Sequence, residues 1–256
     1  MFERKNYRIK AVLFDMDDTL IDWSGVQVDM AEVETRHLQN VYRHLYELGH
    51  ALPPFSDFWN IFRQTLIRAW TEAKKDWTGV SFASEMRTFL LDCGVAEAQL
   101  NLEAVLRAYD WATVPGVEPF DDTLPVLDQL KSSGYKIGLI TNAMQPMWMR
   151  DIELRAYGIL DYLDVRLTSG DVGFMKPHPF IYWRALELLD VRPEESVFVG
   201  DRPANDIAGA NEAGLTSVLI SPPHLERALD NVKPNYTIAN LSELLPILAE
   251  LEGNHG

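Results

Sequence analysis

The sequence predicts an α/β fold, in which a doubly wound parallel sheet forms the core and an all-helical segment is inserted near its start. Three observations support this prediction. Short apolar runs typical of buried parallel strands alternate with helical patterns from Val117 onward. One further run, Ala11–Phe14, stands apart near the beginning of the chain. Residues 23–113, which lie between the two, show helical spacing and no convincing strand.

The inserted segment is predicted to be a cap. Its apolar residues recur at three- and four-residue spacing, in stripes at 26–48, 58–70, 82–90 and 100–109. We therefore predict a helical cap domain at 23–113 and a core domain formed by 1–22 and 114–256. Both ends of the insertion should return to the carboxyl edge of the sheet, where a lid would lie.

The alternating part predicts the remaining elements of a Rossmann-like core. Helices are expected at 121–132, after Asn142 to about 157, at 179–189, at 204–213 and at 242–251. Strands are expected at 136–140, 164–168, 197–199, 216–220 and, more weakly, 236–238. Alternation of this kind implies a mostly parallel sheet with helices on both faces.

Composition restricts the partners of the protein. The chain has 256 residues and a formal net charge of −15, and its basic runs are only the pairs Arg4-Lys5 and Lys74-Lys75. We therefore expect neither nucleic acid nor an anionic membrane as a partner. The polar start of the chain and the lack of an apolar run of ~20 residues predict a cytoplasmic protein. The single cysteine, Cys93, fits a reducing compartment, and no sequence feature indicates an oligomeric state.

Polar residues stand where the predicted strands end. Asp15 and Asp17 follow the first strand, Thr141 and Asn142 follow the strand at 136–140, and Asp201 follows the strand at 197–199. The carboxyl ends of parallel strands meet at one edge of the sheet, where ligands bind in open α/β folds. Two acids directed into one crevice repel each other unless a cation or a shared proton offsets the repulsion. The pattern indicates a metal site or a pair of catalytic acids.

Two further residues extend this group. Lys176 lies in a loop stiffened by Pro177 and Pro179, and Asp206 follows Asp201 in the predicted helix. Carboxylates offer the hard oxygen ligands that suit Mg²⁺. One carboxylate could attack phosphorus, another could protonate the leaving oxygen, and Lys176 could offset the negative charge. The alternative interpretations are a turn at Asp15 and Asp17 and a helix cap at Asp206.

These motifs, taken in order, resemble the four motifs of the haloacid dehalogenase-like hydrolase superfamily. The segments are Asp15-Met16-Asp17-Asp18-Thr19, Leu139-Ile140-Thr141-Asn142, Lys176-Pro177 and Gly200-Asp201 with Asp206. A helical cap inserted after the first motif resembles subclass I of that superfamily. The resemblance covers nearly the whole chain.

The resemblance implies a role for each site residue. Asp15 would be the nucleophile, and Asp17 the general acid and base that also lends its main-chain carbonyl to Mg²⁺. Thr141 and Lys176 would bind the phosphoryl group, and Asn142 would also touch the phosphate. The metal site would comprise Asp15, Asp17, Asp201 and Asp206, the last either binding through water or orienting Lys176.

The expected function is a magnesium-dependent phosphatase. Its substrate would be a small phosphorylated metabolite of the sugar phosphate, phosphoglycolate or nucleotide monophosphate class, cleaved through an aspartyl-phosphate. Asp17 favours this branch of the superfamily over carbon–halogen cleavage, because halide leaves as an anion whereas an alkoxide needs a proton. The alternatives are a phosphomutase of the same superfamily and a non-catalytic binding or regulatory module. Trp23, where the chain leaves for the cap, could line the substrate entrance.

Overall fold

A computed structural model, which describes residues 8–222, 224–225 and 227–253, confirms the predicted α/β core. A six-stranded sheet has the order β5-β4-β1-β6-β7-β8, and every neighbouring pair is parallel. Its strands are β1 Ala11–Phe14, β4 Lys136–Thr141, β5 Val165–Thr168, β6 Ser196–Gly200, β7 Thr216–Ile220 and β8 Tyr236–Ile238.

Helices cover both faces of the sheet, as a doubly wound fold requires. They are α5 Thr123–Ser132, α6 Met147–Ala156, α7 Ser169–Val172, α8 Pro179–Leu189, α9 Ala208–Ala213 and α10 Leu244–Gly253. Successive side chains of a strand point to opposite faces. Accordingly, Val12 and Phe14 of β1 pack in one apolar cluster with α5 and α10. Ala11 and Leu13 pack in another with α8 and α9.

Two features of the core differ from the sequence prediction. A short antiparallel pair, β2 Ile21–Asp22 and β3 Glu118–Pro119, was not predicted, because two residues are too few to show a periodicity. The predicted helix at 204–213 begins with a π-helical turn at Pro203–Ile207 before α9 starts.

The inserted segment contains four α-helices: α1 Met30–Glu47, α2 Phe55–Ala73, α3 Phe82–Asp92 and α4 Leu102–Ala108. Aromatic side chains such as Phe58, Phe62 and Phe89 form the centre of their apolar cluster. The same cluster also contains Met144 and Met175, which lie outside the segment. The division into a cap at 23–113 and a core at 1–22 and 114–256 therefore stays a prediction. Among the residues described above, no helix has both the length and the apolar character needed to cross a membrane.

Backbone hydrogen bonds attach the helical segment to the loops of the core. The amide of Gly79 donates to the carbonyl of Gly173 (2.8 Å), and that of Phe82 donates to Met144 (2.9 Å). In the opposite direction, the amide of Met175 donates to Trp77 (2.8 Å). The segment is thus joined to the stretch of chain that immediately precedes Lys176.

Gly79 makes this attachment sterically possible. A Cβ atom at Gly79 would lie 1.9 Å from the carbonyl oxygen of Ser169, which is far inside van der Waals contact. We expect Gly79→Ala to lower the unfolding free energy by about 1–3 kcal/mol, the usual cost of overpacking. Urea unfolding measures this change, with Gly253→Ala as the control because nothing lies within 4 Å of its Cβ. Equal stability of the two variants would contradict the close approach.

Candidate active site

The strand order places the first motif at the centre of the sheet. The backbone amide of Asp15 donates to the carbonyl of Val199 (2.9 Å), so Asp15 continues β1 along β6. Thr141 is the last residue of β4 on one side, and Asp201 follows β6 on the other. The structure therefore brings the predicted strand ends together at one edge, as the topology of parallel strands requires.

Lys176 links two of the predicted acids. Its Nζ lies 2.8 Å from Oδ1 of Asp15 and 2.7 Å from Oδ1 of Asp206, and its side chain is 2% exposed. Asn142 fixes the backbone of this lysine, because its Oδ1 accepts from the Lys176 amide (2.7 Å) and its Nδ2 donates to the Lys176 carbonyl (2.8 Å). The Asn142 side chain thus holds the lysine loop, and its contact with a phosphate stays a prediction.

Burial and the neighbouring charges determine the protonation of Asp15 and Lys176. Desolvation, together with the neighbouring acids Asp206 and Asp201, raises the pKa of Asp15 to about 8, although Lys176 opposes the rise. Burial alone would lower the pKa of Lys176, but the carboxylates of Asp15 and Asp206 outweigh it and the pKa lies above its ordinary value. Lys176 therefore stays cationic at neutral pH. The Asp15 carboxylate needs a further positive charge to ionise fully.

Asp206 has a structural as well as an electrostatic contact. Its Oδ2 accepts from the backbone amide of Arg202 (2.9 Å), which ties the π-helical turn together, while its Oδ1 faces Lys176. Gly200 leaves room for this carboxylate, because a Cβ there would lie 2.5 Å from the carboxyl carbon of Asp206. The contact of Oδ1 with Lys176 fits the expected orientation of the lysine, whereas the Oδ2 contact runs back to Arg202 and is not a cap on α9.

Asp201 is buried beside a cation that sequence reasoning missed. Arg227 Nη2 lies 2.5 Å from Oδ2 of Asp201 and 3.0 Å from Oδ2 of Asp18. Burial and the neighbouring Asp206 together raise the pKa of Asp201 to about 6, although Arg227 opposes the rise. Within the part of the chain that the structure describes, Oδ1 of Asp201 has no hydrogen-bond or ion-pair partner.

This group of carboxylates fits a hard divalent cation. Ligand oxygens of Asp15, Asp201 and Asp206 lie within 4.8 Å of one another, and all three residues are buried. An unpartnered buried carboxylate oxygen is costly, and so is the mutual repulsion that raises the pKa of Asp15. A bound cation would relieve both costs, and oxygen-only donors suit Mg²⁺.

Asp17 is held from two sides. Trp23 Nε1 donates to its Oδ1 (3.0 Å), and Arg150 Nη2 lies 3.1 Å from Oδ1 and 3.2 Å from Oδ2. Trp23 therefore contacts the predicted acid itself, where the sequence had suggested the substrate entrance. Arg150 was missed, because one arginine in an amphipathic helix gives no sequence signal that it is buried.

Most of the predicted site residues line one small cavity. Its lining contains every predicted catalytic, phosphate-binding and metal-binding residue except Asp201, together with Arg202, which precedes the π-helical turn, and Asn205, which lies in it. The lining residues are Asp15, Asp17, Thr141, Asn142, Lys176, Arg202, Asn205 and Asp206. A carboxylate able to act as a nucleophile, a second acid, a buried cation and candidate metal ligands therefore face one space. This set of groups can transfer a phosphoryl group.

Comparison with known proteins agrees with this chemistry. A family model described as haloacid dehalogenase-like hydrolase matches residues 9–214. A glyceraldehyde 3-phosphate phosphatase from Methanopyrus kandleri is 32% identical over 247 residues, which cover 95% of this chain and 98% of that protein.

Two solved structures have the same fold over most of their length. The crystal structure of a HAD phosphatase from Thermococcus onnurineus matches with a TM-score of 0.61 at 29% identity, covering 94% of this chain and 98% of that one. A 2-haloacid dehalogenase from Pseudomonas syringae pv. Tomato DC3000 matches with a TM-score of 0.63 at 27% identity, covering 94% and 99%. The chain therefore belongs to the haloacid dehalogenase-like hydrolase family.

Proposed function

We propose that this phosphatase transfers the phosphoryl group of a small phosphorylated metabolite to Asp15 and then to water. The observation that carries the proposal is the position of Lys176, whose buried Nζ bridges Asp15 and Asp206. A fixed cation beside a carboxylate nucleophile offsets the charge that gathers when an anionic phosphate approaches.

The residues divide the reaction into two steps. In the first, an oxygen of Asp15 bonds to phosphorus while the bond to the leaving oxygen breaks, and Asp17 gives that oxygen a proton. In the second, Asp17 takes a proton from water as the water oxygen bonds to phosphorus and the bond to Asp15 breaks. Lys176 and Thr141 hold the phosphoryl oxygens in both steps.

Asp15, Asp201, Asp206 and the main-chain carbonyl of Asp17 would hold the metal, for which we propose Mg²⁺. When bound, the cation supplies charge stabilisation to the phosphoryl oxygens and screens the carboxylates. The buried, oxygen-only donors and the unpartnered Oδ1 of Asp201 support this assignment.

Sugar phosphates are the substrate class we favour, with triose phosphates first. The relative from Methanopyrus kandleri, which matches over nearly the whole chain, is a glyceraldehyde 3-phosphate phosphatase. Asp17 supports an alkoxide leaving group, because such a group needs a proton. We also propose a cytoplasmic location, which the single cysteine supports.

A phosphate-release screen tests the function. Sugar phosphates, phosphoglycolate and nucleotide monophosphates are supplied with Mg²⁺ or with EDTA, and we expect release from at least one sugar phosphate only with the metal. Interconversion of sugar phosphate isomers without net phosphate release would instead identify a phosphomutase. No turnover of any ester would contradict both.

Removing a metal ligand should separate binding from folding. We expect Mg²⁺ at a hundredfold excess over its Kd to stabilise the wild-type protein by about 2.7 kcal/mol. Asp201→Asn should lose this stabilisation and the turnover together, because it removes a buried ligand charge. Thermal unfolding with and without Mg²⁺ measures the effect, with the exposed Asp128→Asn as the control. An undiminished Mg²⁺ shift in Asp201→Asn would rule out Asp201 as a ligand.

A further inference from the structure

Asp17 is bound by groups that lie outside the cavity lining. Two N–H donors, Trp23 Nε1 and Arg150 Nη2, converge on its Oδ1 at 3.0 and 3.1 Å. In the part of the chain that the structure describes, its Oδ2 receives one hydrogen bond, from the same Arg150 nitrogen at 3.2 Å. Because Oδ1 accepts two hydrogen bonds and Oδ2 accepts one, Oδ2 has the more room to carry the transferable proton.

Arg150 is in turn fixed by a buried partner. Its Nη1 lies 2.9 Å from Oε2 of Glu153, one turn further along α6, and the two side chains are 5% and 1% exposed. Trp111 Nε1 donates to the same Oε2 (3.0 Å). A chain of contacts therefore runs from Asp17 through Arg150 and Glu153 to Trp111.

Both connections between the sheet and the inserted helices supply an indole to this network. Trp23 follows β2 on the way to α1, and Trp111 follows α4 on the way back to β3. Trp111 also stacks on His37 of α1, with ring centroids 5.9 Å apart. The side chains that hold Asp17 are therefore attached to the helical segment at both of its ends.

The cost of this arrangement argues for a role beyond packing. Placing a guanidinium and a carboxylate in the interior removes both from water, and apolar residues of similar volume are often no less stabilising. Here the buried pair is Arg150 and Glu153. Arg150 contacts both carboxylate oxygens of Asp17, the residue assigned to proton transfer. Trp23 and Arg150 contact the Asp17 carboxylate directly, and Trp111 donates to Glu153, which holds Arg150.

We propose that Arg150, held by Glu153 and Trp111, is a positioning residue that orients the Asp17 carboxyl for proton transfer to the leaving oxygen. The inference rests on the proposed function, because it requires Asp17 to be the acid and base. Arg150 is absent from the cavity lining, so it acts on the reaction through Asp17 and not through the substrate.

Two substrates with different leaving groups test the proposal. p-Nitrophenyl phosphate releases a stable anion that needs no proton, whereas the alkyl phosphate that the wild type hydrolyses fastest releases an alkoxide that does. In the double variant Arg150→Met/Glu153→Gln, which avoids an unpaired buried charge, we expect kcat/KM for the alkyl ester to fall at least about 10-fold more than for the aryl ester. The conservative variant Arg150→Lys should keep part of the wild-type ratio of alkyl to aryl kcat/KM. Asp17→Asn should show the same selective loss of kcat/KM for the alkyl ester.

If the role of Arg150 were purely structural, kcat/KM would fall by the same factor for both substrates, and that result would overturn the proposal. If the double variant does not fold, Trp111→Phe carries the test, because it removes the indole donor to Glu153 and keeps an aromatic ring beside His37. Its alkyl-to-aryl ratio should fall, while the exposed Trp148→Phe leaves the ratio unchanged. An unchanged ratio in Trp111→Phe as well would overturn it. Failure of the proposed function is distinct, since the wild type would then hydrolyse neither ester.

Discussion

Asp15→Asn is expected to reduce phosphate release by at least about 10⁴-fold, because loss of the nucleophile in an enzyme with a covalent intermediate costs up to the order of 10⁶-fold. The carboxamide has nearly the shape of the carboxylate but is a poor nucleophile. Asp15 lies at the centre of the sheet. Its backbone amide donates a hydrogen bond to the carbonyl of Val199, and its side chain lies beside Lys176. Steady-state phosphate release with the best ester of the screen measures the effect.

The control for this prediction is the same substitution at Asp128, which is exposed on α5. Asp128→Asn should keep wild-type activity. Circular dichroism and thermal unfolding should show that Asp15→Asn is folded, because the carboxamide resembles the neutral form that the raised pKa of Asp15 already favours in the metal-free protein. Substantial turnover by folded Asp15→Asn would mean that Asp17 or water attacks phosphorus directly.

Residues at strand ends could be predicted from the sequence because two local patterns locate them. A short apolar run marks a buried strand, and the polar residue directly after it must lie at the carboxyl edge. Asp15, Thr141 and Asp201 follow this rule, and the structure brings all three to neighbouring strands. Lys176 follows no strand, so its inclusion depended on the loop that Pro177 and Pro179 stiffen, and the resemblance to a family then implied its role in phosphate binding.

The partners of these residues could not be predicted, because tertiary packing alone brings them together. Arg150 is 133 positions from Asp17, and Arg227 is 209 from Asp18. A single arginine carries no periodicity, so the sequence cannot distinguish a buried ion pair from a solvated side chain. The hydrogen bonds of Asn142 show the same limit, since its partner is a backbone 34 residues away.

Lys176→Met should cost both activity and stability. Methionine fits the volume of the lysine stem but leaves Asp15 and Asp206 without their shared cation. Removal of one partner from a buried ion pair costs about 3 kcal/mol or more, and loss of a fixed charge at the phosphoryl group costs on the order of 10³-fold in rate. Urea unfolding and phosphate release measure the two effects, with the exposed Lys74→Met as the control.

The stability loss should also depend on pH in the metal-free protein. Burial already raises the pKa of Asp15 to about 8, and the removal of Lys176, which opposes that rise, moves it higher. A carboxyl with a raised pKa in the folded state binds its proton more tightly there than in the unfolded chain. The free-energy cost of ionising this carboxyl in the folded state is therefore absent in acid, and it grows as the pH rises toward the folded-state pKa. The difference between wild type and Lys176→Met should be larger in alkaline than in mildly acidic buffer.

Adding Asp206→Asn to Lys176→Met separates the two effects, because the double variant lacks the cation and one of the charges that it neutralised. Stability should recover in part, since fewer uncompensated charges stay buried. Activity should not recover, because the phosphoryl group still lacks the Lys176 cation beside Asp15. If activity returned together with stability, the role of Lys176 would be to neutralise Asp206, and phosphate binding would have to come from other groups in the cavity.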